Sequence, residues 1–123
     1  MRDELRQYNY ATLPLELDRK RDEVELSPQV RMVLGEVLRQ TIGFTGKDGI
    51  NHWGHELSPE YISRKLGTDE TGKRVVSRNT VRYAYKVLEE RKIISKRRVR
   101  WEDTKKPITW VEVNNNLSEW RVR

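Results

Sequence analysis

Two stretches of this chain open on Leu-Ser-Pro and close on glycine: "LSPQVRMVLGEVLRQTIG" from Leu26 and "LSPEYISRKLG" from Leu57. A serine hydroxyl accepts a free N–H of the first helical turn, and proline suits that turn because it has no N–H to lose. Glycine tolerates the backbone that ends a helix. The two stretches therefore set two helix starts and two stops before any tertiary contact is considered. In the first, Val30, Val33, Leu34, Val37 and Leu38 fall at i, i+3, i+4, i+7 and i+8, one apolar face. In the second, Tyr61, Ile62 and Leu66 make a smaller face over about two turns.

A third helix is predicted over "SRNTVRYAYKVLEERK", capped by Ser77, with Val81, Ala84 or Tyr85, and Leu88 inward. The β-branched and aromatic runs "IISKRRVRW" and "PITWVEV" predict two strands, and "EDTKKP" between them is a hairpin turn. "FTGKDGINHWGHEL" predicts a loop leading into a short strand around Ile50 to Trp53, and "GTDETGKRVV" a polar loop. This order of elements is that of an α+β winged helix-turn-helix, a three-helix core with a β-hairpin wing. On this reading residues 1–26 form an N-terminal arm with one short helix or extended piece. Residues 27–113 form the domain, and residues 114–123 a frayed tail or linker.

Hydrophobic residues make up 35% of the chain and charged residues 36%, so the core must be small and rest on anchors such as its four tryptophans. The absence of cysteine excludes disulfide frameworks, thiolate metal sites and cysteine nucleophiles. "MRDELRQYNY" has no signal-peptide apolar run, and no segment is long enough to span a membrane. A soluble, cytoplasmic protein without a membrane partner is expected.

The net charge of +6 is not spread evenly. Residues 1–76 hold 12 Lys/Arg against 13 Asp/Glu, and residues 107–123 hold 2 against 2. Residues 77–106 hold 11 against 4, so the whole surplus lies there. A localised positive surface suits a polyanion.

Helical spacing puts Arg78, Arg82 and Lys86 in one row, with Asn79 and Tyr83 beside them. Arg bonds guanine O6 and N7 and Asn bonds adenine N6 and N7, while Ser77 and Thr80 offer short hydroxyls at the helix start. In the following strand, alternation puts Lys96, Arg98 and Arg100 on one face and Arg97, Val99 and Trp101 on the other. Lys105 and Lys106 lie at the hairpin tip. A charged helix face is ordinarily just solvated, and basic residues on an edge strand can simply deter aggregation. An arginine cluster contiguous with a basic helix is less well explained that way, because the guanidinium fork suits phosphate and minor-groove contacts. Helix and wing together point to double-stranded DNA.

The stretches "LPLELDRKRDEVELSPQVRMVLGEVLRQTIGF", "KDGINHW", "LSPEYISRKLG" and "SRNTVRYAYKVLEERKII" also resemble the N-terminal domain of phage replication protein O and related winged helices of phage and plasmid replication initiators. The resemblance runs from about Leu13 to Ile94, and its first half is the more specific part, since the Ser-Arg-x-Thr-Val pattern recurs in many winged helices. It implies recognition of repeated origin sequences, generally as a homodimer on DNA, with base and phosphate contacts from Arg78, Asn79, Thr80 and Arg82. In that family a separate C-terminal region recruits the replication machinery. This sequence has no counterpart of that region, which implies a DNA-binding fragment or a smaller protein with another role. The longer loop before Ser77 also departs from the family's short turn, and Lys73 and Arg74 in it are candidate extra contacts.

Other signals carry less. His52 and His55 in "HWGH" have a spacing seen in metal sites, but two histidines without a dedicated third ligand more often flank a buried tryptophan, here Trp53. "GFTGKDG" lacks phosphate-loop spacing, and Glu89–Glu90, Glu102–Asp103 and Asp69–Glu70 read as solubilising charge. Asn116-Leu117-Ser118 is a glycosylation sequon with no consequence inside a cell. No cofactor, metal or enzymatic activity is expected. The alternatives are a winged-helix transcriptional regulator and, in a different class, a winged-helix protein–protein module docking an acidic partner.

Overall fold

The computed structural model describes residues 12–42, 53–100 and 106–123. Its elements are α1 (Thr12–Glu23), α2 (Pro28–Gln40), β1 (Gly54–Glu56), α3 (Pro59–Leu66), α4 (Arg78–Glu90), β2 (Ile94–Val99), β3 (Ile108–Val113) and a 3-10 turn, Leu117–Glu119. The described chain is thus mixed α+β, with four α-helices and a three-stranded antiparallel sheet.

All three serine caps form. The hydroxyl oxygens of Ser27, Ser58 and Ser77 accept from the backbone N–H of Val30 at 3.4 Å, Tyr61 at 3.1 Å and Thr80 at 3.1 Å. Gly67 ends α3 at φ +85°, a conformation open to glycine at no steric cost. The stop of α2 comes earlier than glycine suggested. Thr41 caps it, its hydroxyl donating to the Val37 carbonyl at 2.8 Å, while Gly43 lies outside the described residues.

The sheet order is β1-β3-β2, so the C-terminal strand is central and the short β1 covers its far side. The expected strand around Ile50 to Trp53 falls mostly outside the described residues, and the described strand β1 begins at Gly54. Gly54 pairs with Glu112 and Glu56 with Trp110, while Ile50, Asn51 and His52 lie outside the described residues. Packing accounts for the start at a glycine: a Cβ at Gly54 would sit 2.7 Å from Glu112 Cγ and 2.8 Å from Trp110 Nε1.

The core joins Val33, Leu34 and Val37 of α2 to Ile62 of α3, Val81, Tyr85 and Leu88 of α4, and Val111 of β3. Two segments read as peripheral join it too. The N-terminal arm contains α1, with Leu17 and Val24 buried, so the choice left open there falls to helix. The expected tail at 114–123 is packed, a correction: Trp120 is 3% exposed, and its indole N–H donates to the Asn114 carbonyl at 2.9 Å. The Val122 carbonyl accepts from Glu25 N at 2.8 Å and from Arg91 Nη1 at 2.8 Å, joining the C-terminal segment to the link between α1 and α2 and to the C-cap of α4. A single large indole contributes enough apolar burial to hold a short polar segment down, which its composition hides. No helix among the described residues is long and apolar enough to cross a membrane.

Candidate nucleic-acid interface

α4 has a buried stripe of Val81, Ala84, Tyr85 and Leu88, which fixes what its opposite face can show. Arg78, Asn79, Arg82, Tyr83 and Lys86 are all exposed there, and Tyr83 is 61% exposed, the most of any large hydrophobic side chain among the described residues. Ser77 caps α4 as expected, and Thr80 is bonded to it there. The Ser77 hydroxyl accepts the Thr80 N–H and also pairs with the Thr80 hydroxyl at 2.9 Å, so both are engaged in starting the helix. Arg82 Nη1 approaches Asn79 Oδ1 at 3.5 Å, the outer limit of a hydrogen bond.

Register sets the faces of the hairpin. Lys96 lies opposite Val111 and Arg98 opposite Thr109, while Arg97 lies opposite Trp110. Cross-strand partners share a face, so Lys96 and Arg98 stand on the side of buried Val111, as alternation predicts, and Arg97 on the other. Lys96 meets α4 directly, its Nζ 3.7 Å from Glu89 Oε1. Arg98, Arg100 and Lys106 are exposed. Trp101 and Lys105 lie outside the described residues.

Charge pairing is uneven over the described residues. Lys96 of this surface is paired with Glu89, and Arg19, Arg64, Lys73 and Lys92 outside the exposed α4 face also lack a carboxylate within 4.0 Å among the described residues. Arg21, Arg39, Arg74 and Arg123 each have a carboxylate within 4.0 Å. Arg78, Arg82, Lys86, Arg97, Arg98, Arg100 and Lys106 have none among the described residues. Unpaired guanidinium and ammonium groups keep their donors for an outside acceptor. The arrangement offers donors from one helix face and from the strand that follows it, and suits a ligand rich in phosphate oxygens.

Comparison with protein-family models, curated proteins and solved structures gives no match.

Sequence reasoning passed over Arg97, although it sits in the same basic run and is as exposed as Arg98. It also passed over Arg64, exposed in the last turn of α3. Of the two candidates in the loop before α4, Arg74 is engaged. Its Nη1 lies 2.9 Å from Ser63 Oγ and 3.2 Å from Glu60 Oε2. Lys73 is exposed. His55 lies on β1, with its Nδ1 3.0 Å from the Glu56 carbonyl oxygen, and His52 falls outside the described residues. Among the described residues no group of three His, Asp or Glu could hold a metal ion.

Proposed function

We propose that this chain is a sequence-specific binder of double-stranded DNA with winged helix-turn-helix architecture. In this reading α3 braces α4, α4 enters the major groove, and the β2–β3 hairpin is the wing. The observation that carries it is the exposed α4 face, where Arg78, Arg82 and Lys86 stand without carboxylate partners among the described residues beside Asn79 and Tyr83. Arg82 and Asn79 address base edges, and Arg78, Lys86, Arg98, Arg100 and Lys106 the backbone. The element order and the β1-β3-β2 sheet are compatible with this architecture.

The biological setting proposed is origin recognition by a phage or plasmid replication initiator, binding repeated sites as a homodimer. It rests on the resemblance described above. A transcriptional regulator would use the same surface, and the arrangement of target sites separates the two: iterated sites beside a replication gene, or a single operator at a promoter.

Selection of bound sequences from random duplexes at two salt concentrations tests the reading. A defined site is expected, with affinity falling steeply as salt rises. Arg82→Ala should lower affinity and relax preference at one position, by about 1–3 kcal/mol. No preferred sequence, or an Arg82→Ala variant that binds and discriminates as before, would overturn it. Tight binding to an acidic protein without binding to DNA would instead favour the protein–protein module.

A further inference from the structure

The segment between α3 and α4 is a built turn. Asp69 Oδ1 accepts from Thr71 N at 2.9 Å, Thr71 Oγ1 at 2.6 Å and Lys73 N at 3.0 Å. Asp69 N donates to the Lys73 carbonyl at 2.7 Å, and Gly72 N to the Asp69 carbonyl at 3.1 Å, with Gly72 at φ +84°. Thr68 and Arg74 form an antiparallel bridge, and Val75 N donates to the Gly67 carbonyl at 3.1 Å. Arg74 then ties the turn to Ser63 and Glu60 of α3, and Val76 is fully buried. Hydrogen bonds thus tie the turn's backbone together, although every residue from Thr68 to Val75 is exposed.

Its four charged side chains divide into two kinds. Asp69 organises the turn and Arg74 holds it to α3. Lys73 and Glu70 are exposed and have no partner among the described residues. Arg64, in the last turn of α3, is exposed and likewise without a partner, while Lys65 lies over the Tyr61 ring at 5.5 Å. Lys73 is five residues before Arg78, so their Cα atoms are at most about 18 Å apart. The turn fixes the backbone that carries Lys73, through its N–H to Asp69 Oδ1 and its carbonyl to Asp69 N, and leaves its ammonium exposed to solvent.

We propose that this turn is a preformed phosphate contact, in which Lys73 meets the DNA backbone beside the groove that α4 enters. The inference rests on the reading of α4 given above and extends its footprint towards α3. An ammonium on a phosphate carries no base information, so the contact raises affinity for all sequences alike and releases one counterion. Glu70 opposes it, as a carboxylate in the same turn.

The test is binding of Lys73→Ala, Glu70→Gln and Arg82→Ala to a selected duplex and a scrambled one across a salt series. Neither Lys73 nor Glu70 makes a side-chain bond among the described residues, so these two variants keep the fold. Lys73→Ala should weaken both duplexes by the same factor and reduce the slope of log affinity against log salt by about 0.9. Glu70→Gln should strengthen both. If Lys73→Ala changes neither affinity nor slope while Arg82→Ala weakens binding, the turn does not touch DNA and the α4 reading stands. If Lys73→Ala alters the preferred sequence, it reads a base and the phosphate assignment fails. If Arg82→Ala is also silent, the α4 reading fails and this inference with it.

Discussion

Ser63 Oγ donates to the Val76 carbonyl at 2.6 Å, with both residues fully buried. The bond spans the turn between α3 and α4 and fixes the backbone one residue before the Ser77 cap. The same oxygen accepts from Arg74 Nη1 at 2.9 Å. Ser63→Ala leaves the Val76 carbonyl buried without that donor and should cost about 1–3 kcal/mol. A lower urea midpoint at unchanged slope is the expected result. An unchanged midpoint would show that the two helices are placed by apolar packing alone.

Tyr85 makes the second buried bridge, its hydroxyl donating to the Leu57 carbonyl at 3.0 Å. Burial raises its ionisation above the ordinary 10.0. Because the folded value is the higher one, the contribution of the neutral phenol is complete below that ordinary value and is lost as pH rises past it. Tyr85→Phe should cost about 1–2 kcal/mol at neutral pH and should lose less stability than the parent above about pH 10. Stability profiles of parent and variant that run parallel through the alkaline range would contradict this.

Asp69 titrates in the opposite sense. Its bonds from the Thr71 side chain and the backbone N–H of Lys73 hold its carboxyl below the ordinary 3.8. A depressed folded value means that its contribution is present above the unfolded pKa and is lost as pH falls through the folded one. The amide resonances of Thr71 and Lys73 should therefore titrate together, with a midpoint below that of a free aspartate. A midpoint at or above the free value would mean that the turn is not organised by this carboxylate.

The helices were legible because each start is written locally. A serine and, twice, a following proline satisfy the end of a helix whatever it packs against, and the apolar spacing then names the buried face. The exposed row Arg78, Arg82 and Lys86 follows from the same geometry, since the stripe Val81, Ala84, Tyr85 and Leu88 leaves it no other side. Non-local pairing was not legible in this way. β1 takes its position from Glu112 and Trp110, residues more than fifty positions later, and nothing in Gly54–Glu56 itself marks a strand. The engagement of Arg74 with Glu60 and Ser63 likewise depends on distances that spacing does not give.

Lys96 and Arg98 share a face of β2, but only Lys96 has a carboxylate at hand. Its 3.7 Å approach to Glu89 joins two side chains each more than a third exposed, and such pairs contribute at most about 1 kcal/mol. If the hairpin grips DNA, Arg98→Ala should weaken binding more than Lys96→Ala, because Lys96 must first leave its partner. Glu89→Gln should strengthen binding, and that gain should vanish when combined with Lys96→Ala. Additive effects in this double-mutant cycle would mean that Glu89 acts through its charge at large and not through Lys96.

Trp120 provides the last measurement, on a segment whose composition reads as a tail. Its side chain joins the core cluster while its N–H is bonded to Asn114, and the residues after it hold the foot of α4 through Arg91 and reach Glu25. Removing the indole opens a cavity and leaves the Asn114 carbonyl without its indole donor. Trp120→Ala should therefore cost about 3–5 kcal/mol, in the range of large-to-small core substitutions. Trp120→Phe keeps most of the volume but not the N–H, and should recover most of the loss. Urea denaturation of the three proteins decides the matter: a Trp120→Ala cost below about 1 kcal/mol, typical of a surface site, would return residues 114–123 to the status of a tail.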